Sequence, residues 1–191
     1  MVQEEFDLIK KAQTGDMNAF KQLVLKYDKE VLSIAKSFKN NADDAQDIYQ
    51  EVFLRVFKGL KNFQFKSEIS TWIYRITHNV CITYYQTRKR YNHESIDKEI
   101  NSETEETFAD GIVNSDHPEK KIDNWHLQEL INSAIDDLPS QQKFAFTLKF
   151  VQEYKIKEIA EIMNCNEGTI KRYLFTASQK MRNKLKHLME N

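Results

Sequence analysis

The scarcity of turn-forming residues constrains the fold of this chain more than any other sequence feature. Only 4 glycines and 2 prolines occur among its 191 residues, too few for the many tight turns that an all-β fold requires. Apolar residues instead recur at intervals of three and four over long segments, which is the spacing of one face of an α-helix. The sequence therefore predicts an all-α protein.

Four amphipathic helices are predicted in the first half of the chain. The first covers about residues 4–14, and Gly15 would end it because glycine readily adopts the left-handed backbone that follows many helices. Asp16 would cap the second helix, since a carboxylate can accept hydrogen bonds from the free amides of a first turn. The third and fourth helices are predicted to end at about residue 60 and at residue 90.

Charge is divided unevenly along the chain. Residues 1–90 carry 15 basic and 11 acidic side chains. Residues 91–125 carry 3 basic and 10 acidic side chains, and residues 126–191 carry 10 basic and 8 acidic side chains. The acidic segment has no helical or strand period, which is typical of a flexible linker. We therefore expect two small helical domains, residues 1–90 and 125–191, joined by a flexible acidic linker over residues 91–124.

The sequence lacks the motifs that are typical of membrane proteins, secreted proteins, metalloproteins and enzymes. No apolar run reaches the roughly 18 residues of a membrane span, and no signal-peptide core is present, so we expect a cytoplasmic protein without direct membrane insertion. Cys81 and Cys165 lie in apolar patterns and are expected to be reduced core residues. No metal-ligand spacing, phosphate-binding loop or nucleophile motif occurs. We therefore expect no metal, no cofactor and no enzymatic activity.

Residues 155–185 have the pattern of a helix-turn-helix. Ala160 is small enough for two helices to cross closely, and Asn164 tolerates the left-handed backbone that the turn needs. The start of the second helix in this motif enters the major groove, where Arg and Lys bond to guanine or phosphate. The candidate contact residues are Glu167, Gly168, Thr169, Lys171, Arg172, Phe175 and Lys180. The alternative is an ordinary helical hairpin with a solvated basic tail.

A second candidate site follows the third predicted helix, which combines an acidic first turn with an apolar face. Phe63 and Phe65 lie in the loop after it, Trp72 begins the next helix, and that helix ends in basic residues. Interleaved aromatic and basic residues suit single-stranded nucleic acid, because rings stack on bases and cations contact phosphates. The alternatives are that the acidic turn merely complements the helix dipole and that the three rings are core residues.

Three segments together resemble one known family in their order and approximate spacing: DAQDIYQEVFLRVFKGL, FKSEISTWIYRITHNV and residues 138–185. The chain resembles bacterial RNA polymerase sigma factors of the extracytoplasmic-function class, within the sigma-70 superfamily. The first segment is similar to the part of region two that docks on the clamp helices of polymerase. The second is similar to the promoter-melting segment, and the third to region four.

The resemblance implies roles for individual residues. Those on or near the polymerase-binding helix would be Asp44, Asp47, Gln50, Glu51, Phe53 and Arg55. The loop of residues 61–67 would capture a base flipped out of the −10 element. The full set implied for −10 binding and strand separation is Lys61, Asn62, Phe63, Phe65, Lys66, Ser67, Trp72, Arg75, Asn79, Arg88, Lys89 and Arg90. The second helix of the helix-turn-helix would bind the −35 element as duplex.

The resemblance also implies partners. These are core RNA polymerase, through its clamp helices and flap, promoter DNA, and an anti-sigma factor, which in this family is commonly membrane-anchored. Two other functions remain open from the residues alone. One is a DNA-binding regulator whose N-terminal helices sense a ligand or dimerise, and the other is a helical adaptor with a degenerate helix-turn-helix. Run-off transcription with core polymerase separates them from a sigma factor.

We expect the interaction with the −35 element to be weaker than is usual for the family, or differently specified. Three positions that customarily hold Arg are Tyr173, Thr176 and Ser178 in this chain, whereas Arg172 is gained. Each phosphate that is no longer bound by a cation lowers the salt slope of binding by about one. Titration of region four against a typical family −35 duplex over a range of salt concentrations checks this. Normal affinity with a normal salt slope would contradict it.

Overall fold

The computed structural model describes residues 3–38, 42–99 and 131–189, with side chains described for all of these except 42, 43, 88–99 and 187–189. In these ranges the chain is helical without a strand, which confirms the all-α prediction. The helices are α1 (Gln3–Gln13), α2 (Met17–Ser37), α3 (Ala42–Leu60), α4 (Ile69–Glu99), α5 (residues 131–136), α6 (Ser140–Phe150), α7 (Ile156–Ile162) and α8 (Glu167–Met189). Among the described helices, none is both long enough and apolar enough to cross a bilayer.

The junction between α1 and α2 follows the sequence signals. Gly15 adopts a left-handed backbone with φ of 96°, as predicted for a residue that ends a helix. The Asp16 carboxylate accepts hydrogen bonds from the backbone amides of Asn18, at 2.8 Å, and Ala19, at 3.1 Å. Both predictions for this junction are confirmed.

Helix α4 is longer than the sequence analysis predicted. The predicted end was Arg90, whereas the helix continues to Glu99. Residues 91–99 contain neither Gly nor Pro, and adding one hydrogen bond per residue to a formed helix is easier than starting a new one. The expectation that these nine residues lack helical structure is therefore wrong, whereas the linker bounds of 91–124 stay a prediction. Residues 100–130, which hold the rest of the predicted linker, lie outside the described residues.

Helices α1 to α4 form an N-terminal unit with a packed core. Each helix contributes fully buried apolar side chains, among them Ile9, Leu23, Val52 and Ile73. Helix α1 is tied to α2 through Glu5, which accepts a hydrogen bond from the Tyr27 hydroxyl at 2.8 Å and one from Lys26.

Helices α5 to α8 form a C-terminal unit that packs directly on the N-terminal unit. Phe144 of α6 and Ile159 of α7 are fully buried in the same apolar cluster as Ile34 of α2 and Cys81 of α4. The rings of Phe38 and Phe144 have centroids 6.0 Å apart. The two units thus share this apolar cluster, a feature that the sequence analysis did not predict, while a smaller cluster around Leu138 and Met181 lies within the C-terminal unit.

Polar contacts surround this shared core. The Thr147 hydroxyl donates to the Ser37 hydroxyl at 3.2 Å, and Gln152 donates to the Ser33 hydroxyl at 2.9 Å. His78 of α4 and Gln141 of α6 are hydrogen bonded through Nε2 and Oε1 at 2.9 Å. The contacts involve α2 and α4 on one side and the α6 to α7 segment on the other. They fix the position of the C-terminal unit on the N-terminal unit.

The contact between the units also includes two tyrosines that share one carboxylate. Glu30 of α2 accepts hydrogen bonds from the hydroxyls of Tyr74, on α4, and Tyr154, at 3.2 Å, just before α7. Burial raises the pKa of Tyr74, and it raises that of Tyr154 to about 12, with Glu30 acting in the same direction. Both hydroxyls therefore remain protonated donors at neutral pH.

Candidate nucleic-acid and protein-binding surfaces

Helix α3 presents part of the predicted polymerase-binding set on its outer face. Asp47 and Gln50 are exposed. Glu51 and Arg55, one helical turn apart, form an ion pair with Nε and Oε1 at 2.7 Å. Such a surface pair contributes little to stability, so both side chains are available to an incoming partner.

Two residues of the same set point into the N-terminal unit instead. Asp44 is 9% exposed and accepts a hydrogen bond from the Tyr84 hydroxyl of α4. Phe53 is 8% exposed and packs against the ring of Tyr49, with centroids 4.9 Å apart. These side chains hold α3 in the bundle rather than face solvent.

The outer face of α3 also carries apolar residues that the sequence analysis did not select. Leu54 is 46% exposed and Phe57 is 49% exposed. The Phe57 ring makes an edge contact with Phe20 of α2, with centroids 5.0 Å apart. The signal that could have found them is their position beside Phe53 and Arg55 on a helix already assigned to a protein partner. An apolar patch next to charged side chains is the usual composition of such an interface.

The loop between α3 and α4 is built on aromatic packing. Phe63 is buried and contacts Trp72, with centroids 5.3 Å apart, and Phe65, with centroids 5.0 Å apart. A Cβ at Gly59 would lie 3.1 Å from the Trp72 ring, so glycine lets this ring approach α3. Phe63 is thus a core residue and Trp72 a half-buried support of the loop.

Phe65 has an unusual backbone conformation. Its φ is 58°, in the left-handed region, which costs a non-glycine residue about 1–2 kcal/mol. The ring packs on Phe6 of α1, with centroids 4.7 Å apart, and the Lys10 ammonium lies 4.8 Å from its centroid. Apart from the packed Phe65 ring, the loop exposes several polar side chains, namely Lys61, Asn62, Gln64 and Lys66. Ser67 is half-buried.

Helix α1 supports the loop at a second point. The Gln13 side-chain amide donates hydrogen bonds to the carbonyl oxygens of Leu60, at 3.0 Å, and Phe63, at 2.8 Å. Carbonyls at the end of a helix such as α3 need partners outside the helix. Sequence reasoning missed Gln13, because no periodicity or motif connects it to a loop 47 residues further along the chain.

The start of α4 continues this surface toward the C-terminal unit. Asn79 is exposed, with its Oδ1 3.3 Å from Nδ1 of His78. Arg75 is half-buried, and its Nε donates to the carbonyl oxygen of Glu161 on α7 at 2.9 Å. The side chains of the predicted basic end, Arg88, Lys89 and Arg90, lie outside the described residues.

The helix-turn-helix consists of α7, a tight turn and α8. Asn164 has φ of 51°, as predicted for the turn, and Ala160 is 6% exposed between the helices. The Cys165 amide donates to the Ala160 carbonyl at 3.0 Å, which closes the turn. The Asn166 side chain accepts a hydrogen bond from the Thr169 amide at 2.8 Å, so it caps the first turn of α8.

Most of the predicted DNA-contacting residues share the exposed side of α8. The Phe175 ring is 64% exposed, an unusual position for an aromatic residue unless it meets a partner. Thr169 is half-buried. The exposed members of the predicted set are Glu167, Gly168, Lys171, Arg172, Phe175 and Lys180.

A cleft of about 460 Å³ lies between the two units and brings parts of both candidate sites together. Arg75 of α4 lines one side, and Lys157, Glu161 and Asn164 are among the residues that line the other. In this arrangement the helix-turn-helix covers part of α4. Among the described residues, no group of three or more His, Cys, Asp or Glu side chains is placed to hold a metal ion.

Comparison with known families identifies both units. The profile of Sigma-70 region 2 matches residues 23–91, and that of Sigma-70, region 4 matches residues 128–181. Together these matches cover more than half of the chain.

The chain belongs to the sigma-70 family.

Its N-terminal unit is region two, with α1 outside the matched residues, and its C-terminal unit is region four. It is therefore a sigma factor, a transcription initiation factor that recognises promoters together with RNA polymerase.

Curated relatives are similar over almost their whole length. The RNA polymerase sigma-H factor of Pseudomonas aeruginosa is 29% identical over 189 residues, which are 98% of this chain and 96% of the relative. The ECF RNA polymerase sigma-E factor of Escherichia coli strain K12 is 29% identical over 184 residues, 95% of this chain and 94% of the relative.

Two solved structures have the same fold at lower sequence identity. CnrH in complex with the cytosolic domain of CnrY has a TM-score of 0.66 at 18% identity, covering 94% of this chain and 96% of the other. The sigma factor RpoE of Bartonella quintana, in complex with the anti-sigma factor NepR, has a TM-score of 0.62 at 21% identity, covering 87% and 96%.

The turn of the helix-turn-helix provides a test of local backbone strain. Asn164→Gly should leave the free energy of unfolding unchanged or slightly higher, because glycine adopts a left-handed backbone without steric cost. Asn164→Val should lower it by about 1–2 kcal/mol. Asn183→Val, at an exposed position of α8 with helical backbone, is the matched control and should change little. Urea unfolding measures all three, and equal midpoints for the Gly and Val variants at residue 164 would contradict the strain at this turn.

Proposed function

We propose that region two of this sigma factor binds polymerase and a single-stranded −10 element while region four binds a double-stranded −35 element. The observation that carries this proposal is the start of α8. There, Lys171, Arg172 and Phe175 are exposed on a capped helix directly after the Asn164 turn. This is the part of a helix-turn-helix that enters the major groove. We also propose that the protein works in the cytoplasm, where its template is.

The polymerase clamp helices are proposed to bind the outer face of α3. Asp47, Gln50, Glu51 and Arg55 would supply polar contacts, and the exposed Leu54 and Phe57 would supply apolar area. An apolar centre with a polar rim is the usual anatomy of a stable protein interface. Asp44 and Phe53 would act indirectly, by holding α3 in place from inside region two.

Strand separation is proposed to depend on the loop of residues 61–67. Unstacking a base costs a few kcal/mol, and a pocket that binds the flipped base offsets this cost. Asn62 would read the edge of the base, and Lys61 and Lys66 would contact neighbouring phosphates. Phe63, Phe65, Ser67 and Trp72 would shape the loop, while Arg75, Asn79 and the basic end at Arg88, Lys89 and Arg90 would lie along the separated strands.

Region four is proposed to read the −35 element mainly through Arg172 and Lys171, which can bond to guanine. Phe175 would contact a thymine methyl group, and Lys180 would contact phosphate. Glu167, Gly168 and Thr169 would lie at the groove entrance. An apolar surface for the polymerase flap is offered by the exposed Phe150 and Val151. The Phe150 ring packs on the ring of Phe146.

An anti-sigma factor is proposed as a further partner. The solved structures of the same fold include CnrH with the cytosolic domain of CnrY and RpoE with NepR. A partner of this kind would compete with polymerase for region two and region four. We extend the proposal to an anti-sigma factor anchored in the membrane, on the resemblance to the extracytoplasmic-function class.

Simultaneous binding of both promoter elements requires region four to leave region two. The −35 and −10 elements, named for positions about 25 base pairs apart, are separated by roughly 85 Å at about 3.4 Å per base pair. In the structure, Arg75 of region two touches Glu161 of region four at 2.9 Å. We therefore propose that the described arrangement is a closed form that opens on binding polymerase and promoter.

Run-off transcription with core polymerase tests the proposed function. The full chain should direct core polymerase to discrete start sites on a library of promoter fragments, and core polymerase alone should not. A regulator or an adaptor would give no transcript in this assay.

A reversible cross-link tests the opening step. Ser37 and Thr147 have hydroxyl oxygens 3.2 Å apart across the interface, so cysteines at both positions can form a disulfide with little movement. The oxidised Ser37→Cys, Thr147→Cys protein should show a decrease in transcription of at least about tenfold, since region four cannot reach the −35 element. Reduction should restore it.

Each single cysteine variant, treated with the same oxidant, is the control and should transcribe normally before and after reduction. Full transcription by the cross-linked protein would show that initiation proceeds from the closed arrangement. That outcome would contradict the opening step and leave the assignment of the family intact.

A further inference from the structure

We propose that Gln13 of α1 is a positioning residue for the loop that captures the flipped −10 base. Helix α1 lies outside the residues that match region two, which begin at residue 23. It nevertheless supplies the side chains on which the loop rests. The inference deepens the proposed function and depends on base capture by residues 61–67.

Gln13 fixes the point at which the chain leaves α3. Its amide nitrogen donates two hydrogen bonds, to the carbonyl oxygens of Leu60 and Phe63, at 3.0 and 2.8 Å. The two carbonyls lie on either side of Lys61 and Asn62. Since one planar amide holds both ends of this short segment, the two exposed side chains between them are presented in one orientation.

A second contact between α1 and the loop is made by Phe6 and Lys10, which precede Gln13 by seven and three residues. The Phe65 ring packs on Phe6, and Lys10 lies against both rings, 4.8 Å from the Phe65 centroid and 5.6 Å from that of Phe6. The left-handed backbone of Phe65 is unfavourable, and such conformations persist only where surrounding contacts determine them. Helix α1 provides those contacts.

Binding energy for a flipped base depends on such preorganisation. A loop that already has the bound conformation loses less conformational entropy when the base enters. Without the Gln13 donors, the Phe63 carbonyl would have no side-chain partner in α1 and the strained backbone could relax. The loop would then bind the backbone of single-stranded DNA as before, but its affinity would differ little between a strand with the base and a strand with an abasic site at that position.

Three substitutions separate this role from a general effect on folding. Gln13→Met keeps the length of the side chain and removes both donors. Gln13→Lys restores donors that can reach the same two carbonyls and should rescue the loop. Gln3→Met is the matched control, because Gln3 is an exposed residue of the same helix whose side-chain amide donates to Asp7, at 3.2 Å, and not to the loop in the described structure.

The assay measures binding of holoenzyme, made from the full chain and core polymerase, to single-stranded oligonucleotides. These carry the non-template −10 strand of a promoter that the wild-type holoenzyme transcribes, with one abasic site introduced at each position in turn. The abasic penalty is the factor by which removal of one base lowers the affinity of the holoenzyme for the oligonucleotide. The position read by the loop is the one whose abasic penalty is smaller in the Asn62→Ala variant than in the wild type. Base capture predicts a wild-type penalty of about tenfold or more at that position.

In Gln13→Met we expect this penalty to fall below about threefold, while affinity for the abasic oligonucleotide stays within about twofold of wild type. Gln13→Lys should regain most of the penalty, and Gln3→Met should retain it. Phe6→Ala, which removes the α1 ring from beneath Phe65, is a second variant and should lower the penalty in the same direction.

Two results would overturn the positioning role alone. One is a full penalty in both Gln13→Met and Phe6→Ala, and the other is an equal decrease of affinity for every oligonucleotide, which indicates a purely structural role. If the wild-type holoenzyme shows no position whose penalty depends on Asn62, base capture by the loop is itself wrong, and this inference falls with it.

Discussion

The packing of Phe144 between the two regions is the contact on which the described arrangement depends. Its ring lies between Phe38, which directly follows α2, and His78 of α4, with centroids 6.0 and 4.8 Å away. Through this ring region four joins the apolar cluster of region two, in addition to its own smaller cluster of Ala134, Leu138, Ala177 and Met181. The polar contacts around the ring are individually weak, so the interface can hold the chain closed and still give way to a larger surface on polymerase.

In the proposed open form, some residues would have other partners than in the described arrangement. Arg75 bonds to the α7 backbone when the chain is closed and would be free to approach a DNA strand when it is open. The loop of residues 61–67 is held by α1, so we expect it to keep its shape in the proposed open form. The proposed site for single-stranded DNA is thus already formed in the described arrangement, and we propose that opening changes only the access to it.

Local chemistry made much of the fold predictable from sequence, and long-range packing limited the rest. Asp16 and Asn164 could be placed because a cap and a left-handed turn depend on the residue itself. The end of α4 was misplaced because an acidic composition was taken as evidence against a helix. Gln13 and the contact of Phe144 with region two were missed, since hydrophobic periodicity shows which face of a helix is buried but not which distant helix covers it.

The separation of region four from region two during initiation is the central claim, and fluorescence energy transfer within the chain tests it most directly. Dyes at the exposed Lys58 of region two and Gln179 of region four report the distance between the regions. We expect high transfer in the free protein and a decrease of most of it in a transcribing complex with core polymerase and promoter. High transfer that persists while transcript is made would contradict the separation.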